Sequence, residues 1–196
     1  FIVCEDTRVT SILLKHYNIS KELVSLNAAT ESRKIDGIIK RLAAGAIAAL
    51  VSDAGTPCIS DPGTRLVSEA GKHGIEICGI PGANAAITAL SISGLPADSF
   101  IFEGFLPQKK GRQKLLMQLA KENRTIIFYE SVHRIEKLLD ELNEYMPNRY
   151  CMIFREITKK FEEVWKGTPS EIIKNPKTVK GEFVIILSPL KWEVRV

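Results

Sequence analysis

The residues best suited to chemistry are concentrated in Ser52-Asp53-Ala54-Gly55-Thr56-Pro57-Cys58-Ile59-Ser60-Asp61-Pro62-Gly63. Asp53 and Asp61 can accept hydrogen bonds from ligand hydroxyls or from the loop's own amides. Gly55 can take a positive φ, and Gly63 lets a ligand or a helix approach closely. Pro57 and Pro62 lock the backbone, Pro62 where a first helical turn could begin. A plain turn needs far fewer special residues, so Asp53 and Gly55 are read as functional. Asp61 is read equally as a helix N-cap or as part of the site. A second loop, Ile80-Pro81-Gly82-Ala83-Asn84-Ala85, carries small residues. They would let a flat ligand lie against backbone, or let a helix pack tightly on a sheet. Four acids that could take a proton, Glu5, Asp6, Glu130 and Glu156, each follow an apolar run. Arg8, Arg134 and Arg155 stand beside them, able to hold phosphates or simply to pair with these acids.

Several chemistries lack their signatures. There is no nucleophile-elbow sequence, no paired metal-ligand spacing and no phosphate-binding glycine loop. His16 and His73 read as surface residues of helices, and His133 as the start of another. No metal is expected.

The elements that must position these loops follow from periodicity and punctuation. Phe1–Cys4 reads as a strand, followed by a helix that Thr7 caps and that turns Ile12, Leu13 and Leu14 inward. Residues 23–26 read as a short strand, and Thr30 opens a helix through Ile35, Ile38, Ile39 and Leu42 that ends at Gly45. The run 46–51 is a strand leading into the Asp53 loop, and a helix follows to about Gly74. Residues 75–80 are a further strand, with a helix through Ile87, Leu90 and Ile92 after it. Residues 100–103 are another. The expectation is therefore an α/β protein whose loops sit at the carboxyl ends of strands, where open sheets bind ligands.

Composition changes at Gly104-Phe105-Leu106-Pro107-Gln108-Lys109-Lys110-Gly111-Arg112, a basic, Gly/Pro-punctuated stretch read as a linker. Two α/β domains are expected, over residues 1–105 and 106–196. The second holds strands at 125–129, 151–154, 161–165 and 183–187, with helices after Arg112 and His133 and a short one before the last strand. The 196 residues allow two small domains, and 45% hydrophobic with 26% charged residues is an ordinary globular balance. No apolar run is long enough for a membrane span, and no signal-peptide pattern opens the chain. Because Phe1 begins inside an apparent strand, a preceding segment is expected. The four cysteines read as reduced thiols of a cytoplasmic protein. A net charge of +4 permits an RNA partner without requiring one.

The Asp53 loop and the Pro81 loop together resemble the two cofactor loops of the tetrapyrrole methylase superfamily. Further stretches resemble the branch of it that methylates the ribose 2′-oxygen of a cytidine in small-subunit ribosomal RNA. They are Cys4-Glu5-Asp6-Thr7-Arg8, Glu103-Gly104-Phe105-Leu106-Pro107, Phe128-Tyr129-Glu130-Ser131, Arg155-Glu156-Ile157-Thr158-Lys159 and Lys180-Gly181-Glu182. The resemblance runs through essentially the whole chain, and that family's first Gly-rich loop is absent from it. It implies two α/β/α-type domains with a cofactor cleft between them, and S-adenosyl-L-methionine as cofactor. That cofactor suits loops without a polyphosphate signature. The resemblance implies that Asp53, Ala54, Gly55, Thr56, Pro81, Gly82, Ala83 and Tyr129 hold it. Asp6 and Glu130 are the first candidates for the base, ahead of Glu5 and Glu156, with Arg8 beside them. Lys109, Lys110, Arg112 and Arg134 would contact RNA, with Lys114 adjoining and Lys159 and Lys160 as a second patch. The implied partner is small-subunit ribosomal RNA or the assembled small subunit, met by a cytoplasmic homodimer. Two other readings stay open: methylation of a tetrapyrrole, corrinoid or modified protein side chain, and non-catalytic binding of RNA or a nucleotide.

Overall fold

The computed structural model describes residues 1–27, 29–175 and 179–192. The chain divides into two compact units, Phe1–Asn84 and Ala85–Val196.

In the first unit β1 (Ile2–Cys4), α1 (Thr7–His16), β2 (Leu23–Ser25), α2 (Glu31–Ala43), β3 (Ala49–Val51) and α3 (Thr64–Lys72) follow one another. The three strands form a parallel sheet in the order β2-β1-β3, with Val3 opposite both Val24 and Leu50. Successive side chains of a strand face opposite ways, and β1 uses both faces. Val3 packs with Ile35, Ile38 and Ile39 of α2 and Leu66 of α3, whereas Ile2 and Cys4 pack with Leu14 of α1. A parallel sheet covered on both faces has no solvent side, which is why β1 is entirely apolar.

Local details depart from expectation. Asp6, not Thr7, caps α1, its Oδ1 accepting the Arg8 N–H at 2.8 Å. Thr30 stands at the N-cap of α2 without a side-chain cap bond, its hydroxyl donating to Asn27 instead. Gly63 caps α3, so Asp61 is not the cap residue. On α1 the buried residues are Thr10 and Leu14, while Ile12 and Leu13 are 72% and 52% exposed. Residues 75–80 form no strand: β3 pairs only with β1, so no ladder extends to them, and Ile77 and Ile80 are exposed.

The second unit contains α4 (Ala85–Ser93), β4 (Phe100–Phe105), α5 (Arg112–Leu119), β5 (Thr125–Ser131), α6 (Ile135–Tyr145), β6 (Cys151–Arg155), β7 (Glu163–Gly167), α7 (Pro169–Lys174) and β8 (Glu182–Leu187). Its sheet runs β4-β5-β8-β6-β7, with β4 parallel to β5 and every other neighbour antiparallel. Ile126, Phe128, Ile153 and Ile185 pack against Leu116, Leu138, Leu142 and Ile172 of α5, α6 and α7. Ile127, Phe154, Val184 and Ile186 pack against Ala86, Ala89 and Leu90 of α4. Of the apolar residues that marked this helix in the sequence, Leu90 is buried while Ile87 and Ile92 are exposed. Emptying one of these sites, as in Phe128→Ala, would cost about 3–5 kcal/mol.

The division at Asn84 falls ahead of the expected boundary at residue 105. The reason is strand pairing: Phe100, Ile101 and Phe102 of β4 lie opposite Thr125, Ile126 and Ile127 of β5. The stretch read as a linker is thus the connection from β4 to α5 inside one unit. All four cysteines are free thiols; Cys4 and Cys151 are buried, Cys58 is half-buried and Cys78 is exposed.

Candidate functional site

In the first unit the carboxyl ends of β1 and β3 lie side by side, so the segments after them meet. The Asp6 N–H donates to Asp53 Oδ1 at 3.2 Å, joining the two segments. The loop beyond Asp53 is held in an uncommon backbone shape. Cys58 and Ser60 have φ of 70° and 66°, Gly55 76° and Gly63 122°. At Gly63 a Cβ would fall 2.8 Å from Leu50 Cδ2 and 3.0 Å from Cys58 Sγ, and the φ of 122° is one that side chains rarely adopt, so the position favours glycine. The Ser52 hydroxyl donates to the carbonyls of Ala54 and Gly55, closing the start of the loop on itself.

The Pro81 loop meets this loop directly. Thr56 Oγ1 donates to the Ala83 carbonyl at 3.0 Å. A Cβ on Gly55 would sit 3.1 Å from that same carbonyl oxygen, and one on Gly82 would sit 3.3 Å from Thr56 Oγ1. Two glycines thus let two backbones touch. Asp53, Ala54, Gly55, Pro81, Gly82 and Ala83 remain exposed around the contact, and Thr56 is half-buried.

Four carboxylates rim this corner. Burial first, then the neighbouring Asp53 and Asp61, push the Glu5 carboxyl above its usual range. Burial, with Asp53 as neighbour, likewise raises Asp61, against a hydrogen bond from Ser52. Asp6 behaves oppositely: hydrogen bonds from the Arg8 side chain and backbone hold it down at about 2. Its carboxylate is paired with the guanidinium at 2.6 Å.

The second unit places the remaining candidates. Tyr129 packs edge-on against Phe102 and tilted against Phe105, and its hydroxyl accepts the Ala86 N–H at 3.3 Å. Glu130 is not at an open strand end. Its side chain is wholly buried, paired with Arg134 at 2.7 Å and Arg112 at 3.4 Å, and bonded by the Ser131 N–H at 2.8 Å. Arg112, expected among the surface cations, has a side chain 4% exposed and pairs with Glu141 at 2.7 Å. That burial removes it from any exposed basic patch. Lys109, Lys110 and Lys114 are exposed, and Arg134 is half-buried. Glu156, at φ 49°, accepts the Glu182 N–H and the Lys159 ammonium, which lower its pKa. Arg155 is also buried, donating to the carbonyls of Lys180 and Phe161. Sequence reading missed Glu141 and quoted Glu182 only within Lys180-Gly181-Glu182, without its pairing to Lys159; for Glu141 the spacing from Lys137 by four helical residues was the available signal.

Gly55 lies in the segment after the carboxyl end of β3, the region of an open α/β sheet where ligands bind. The sequence pattern of the family described as Tetrapyrrole (Corrin/Porphyrin) Methylases matches residues 1–173, and the chain belongs to that family. It is 47% identical over 189 residues to a protein of Halalkalibacterium halodurans named ribosomal RNA small subunit methyltransferase I. That alignment covers 95% of this chain and 65% of the relative, so the chain spans slightly under two thirds of that protein's length. A protein of the same name from Thermotoga maritima is 44% identical, with 95% of this chain and 85% of the relative covered. Among solved structures, uroporphyrin-III C-methyltransferase from Thermus thermophilus, complexed with S-adenosylhomocysteine, matches with a TM-score of 0.61. Its identity is 17%, over 96% of this chain and 85% of that one, so it shares the fold.

Proposed function

We propose that the protein is an S-adenosylmethionine-dependent methyltransferase that modifies the ribose 2′-oxygen of a cytidine in small-subunit ribosomal RNA. It is proposed to act in the cytoplasm, as a homodimer, on that RNA or on the assembled subunit. Among the described residues no helix is long and apolar enough to cross a membrane. The observation that carries the cofactor reading is the locked contact of the Asp53 and Pro81 loops. Neither loop contains a lysine or arginine, so the site suits a ligand without a polyphosphate. It offers exposed peptide groups at Gly55 and Gly82 for flat or polar ligand parts. Asp53 supplies a carboxylate for sugar hydroxyls. Burial first, and then the neighbouring carboxylates, raise Glu5 and Asp61, and this gathering of acids suits a cation.

Bound there, the cofactor supplies an electrophilic methyl on a sulfonium centre. The chain's residues position the acceptor and take its proton. Holding two reactants in attack geometry can supply a large part of such a rate. A ribose hydroxyl becomes an adequate nucleophile only as its proton leaves, and the best acceptor has a pKa near the working pH. Glu130 and Glu156 are held by hydrogen bonds and cations and Asp6 by Arg8, whereas Glu5 accepts the Asp53 backbone N–H and has acids as its charged neighbours. Glu5 is the acid whose pKa moves upward, and we assign it the proton-accepting role, with Asp6 and Arg8 ordering the segment beside it. Exposed Lys109 and Lys110 supply phosphate contacts.

The test is methyl transfer from labelled S-adenosylmethionine to small ribosomal subunits from a strain lacking the enzyme, with the modified nucleotide mapped. Label on a cytidine 2′-oxygen supports the proposal. RNA binding without transfer, or transfer only to a corrinoid or porphyrinoid, overturns it.

A further inference from the structure

Glu130 and its two arginines form the most deeply buried charge cluster among the described residues, and the chemistry above does not use it. Both guanidiniums divide their donors in the same way. Arg112 gives Nη1 to the Pro107 carbonyl at 3.1 Å as well as reaching Glu130, and its Nε and Nη2 engage Glu141. Arg134 gives Nη1 to the Leu106 carbonyl at 3.3 Å and Nε to Ser131 Oγ at 3.2 Å, while Nη2 meets Glu130. Two consecutive carbonyls of the β4–α5 connection are therefore anchored, through two arginines, on one buried carboxylate. The far end is anchored too. The Arg112 N–H donates to the Lys109 carbonyl, and Gly111 turns into α5 at φ 87°. Between the anchors stand exposed Lys109 and Lys110, and before them Phe105, half exposed and packed on Tyr129.

Burying several charges gains little stability over an apolar cluster of equal volume; what such a network can add is a defined geometry. A Gly/Pro/Lys connection free in solvent would have to be ordered on meeting RNA, and that ordering weakens binding. We infer that Glu130 is a positioning residue, which holds the 106–111 connection through Arg112 and Arg134 so that Lys109 and Lys110 meet RNA phosphates already in place. This inference rests on the RNA reading above and names the surface that would carry it.

The experiment is a double-mutant cycle on the full chain. A single-stranded oligoribonucleotide is titrated at several salt concentrations, alongside KM and kcat for methyl transfer to small subunits. The variants are Arg134→Lys, the pair Lys109→Gln/Lys110→Gln, and their combination. Arg134→Lys keeps a cation near Glu130 but cannot reach Glu130, Ser131 and Leu106 together. In the wild-type background the lysine pair should lower the salt slope by about 1.4, two single-strand contacts' worth. In the Arg134→Lys background the same pair should have an effect smaller by about three- to tenfold in affinity, the size of a coupled pair. Arg134→Lys alone should raise KM for the subunit and leave kcat and cofactor affinity unchanged. Equal effects of the lysine pair in both backgrounds overturn the inference, as does a folded Arg134→Lys with wild-type KM and salt slope. Glu130→Gln is the stronger perturbation; if it does not fold, the cycle on Arg134 stands without it. Failure of wild-type methyl transfer would refute the enzymatic reading, while the RNA titration would still decide the positioning role.

Discussion

Gly55→Ala is the sharpest perturbation of the cofactor corner, because the structure separates its two costs. At φ 76° an alanine pays about 1–2 kcal/mol for a left-handed backbone. Its Cβ would also stand 3.1 Å from the Ala83 carbonyl oxygen, and that oxygen already accepts from Thr56 at 3.0 Å. Moving the Pro81 loop a few tenths of an ångström endangers this bond, with a net value of about 0.5–1.5 kcal/mol. Together these make about 1.5–3.5 kcal/mol, or a loss of S-adenosylmethionine affinity of roughly ten- to several-hundredfold if the ligand needs both loops in place. Two other glycines calibrate the result. Gly45 has φ 92°, and a Cβ there would meet nothing within 4 Å, so Gly45→Ala carries the backbone cost alone, far from the loops. Gly82 has no positive φ, and a Cβ there would stand 3.3 Å from Thr56 Oγ1 and 4.0 Å from the Ile80 carbonyl oxygen, so Gly82→Ala lacks the backbone cost and should cost less than Gly55→Ala. Calorimetry with S-adenosylmethionine, and thermal unfolding of each variant, should show Gly55→Ala losing most affinity and Gly82→Ala less. Gly45→Ala should keep wild-type affinity while its melting point falls by a few degrees. A folded Gly55→Ala with wild-type affinity would falsify the assignment of this corner.

Asp53→Ala should lower cofactor affinity about tenfold or more, since it removes a ligand acceptor and the acceptor of the Asp6 N–H; unchanged affinity by calorimetry would remove Asp53 from the site. Glu5→Gln should reduce single-turnover methylation about 10²–10⁴-fold with little change in cofactor or RNA affinity, and a wild-type rate would send the base role elsewhere. The same variant has a pH signature: a carboxyl raised in the folded state stabilises below its unfolded pKa and loses that contribution as pH rises through the raised value. Denaturant titrations should thus show Glu5→Gln gaining on the wild type as pH climbs above the ordinary carboxylate range, and a difference flat with pH would contradict it. Asp6 has the opposite sign: its depressed pKa of about 2 means its helix cap persists above the ordinary carboxylate range and is lost as pH falls toward 2. Asp6→Asn should accordingly slow single-turnover transfer far less than Glu5→Gln, and the reverse order would return the base role to Asp6.

Much of the fold was legible because burial and periodicity agreed. The apolar run of β5 and the stripe Ile35, Ile38, Ile39 on α2 could pack in only one way each. Errors arose where one local signal had two physical outcomes. Glu130 looked like a residue at an open strand end, yet β5 is buried on both faces nearly to its last residue, so the carboxylate is inside and needs its arginines. Arg112 sat in a basic stretch and looked solvated. It is four and seven residues before Leu116 and Leu119, the spacing of one helical face, and that face is the buried one. Residues 75–80 have the apolar alternation of a strand, but a strand also requires a neighbour's ladder, which no local pattern records. At the site, the Asp53 and Pro81 loops were readable as special from composition alone. Their contact was not, because it depends on where Gly55 and Gly82 fall in space.

Charge divides between the two units in a way that matches two kinds of ligand. Residues 1–84 contain nine basic and nine acidic side chains, and residues 85–196 contain eighteen and fourteen, so the whole excess of +4 lies in the second unit. Within the neutral first unit the acids are not spread evenly. Glu5, Asp6, Asp53 and Asp61 gather at the strand ends, and the rise in the Glu5 and Asp61 pKa values records, beside their burial, the repulsion among them. Such a corner repels a phosphate chain and attracts a sulfonium or an ammonium. The second unit does the reverse. It neutralises Glu130, Glu141, Glu156 and Glu182 internally with arginines and Lys159, leaving Lys109, Lys110 and Lys114 on the surface. Phosphate contacts supply most sequence-independent affinity for nucleic acid, and those exposed lysines are where this chain can make them. A small cation and a long polyanion impose opposite fields, and the two proposed ligands would meet them in separate units: clustered acids at the strand ends of the first, and a net positive charge with exposed lysines in the second.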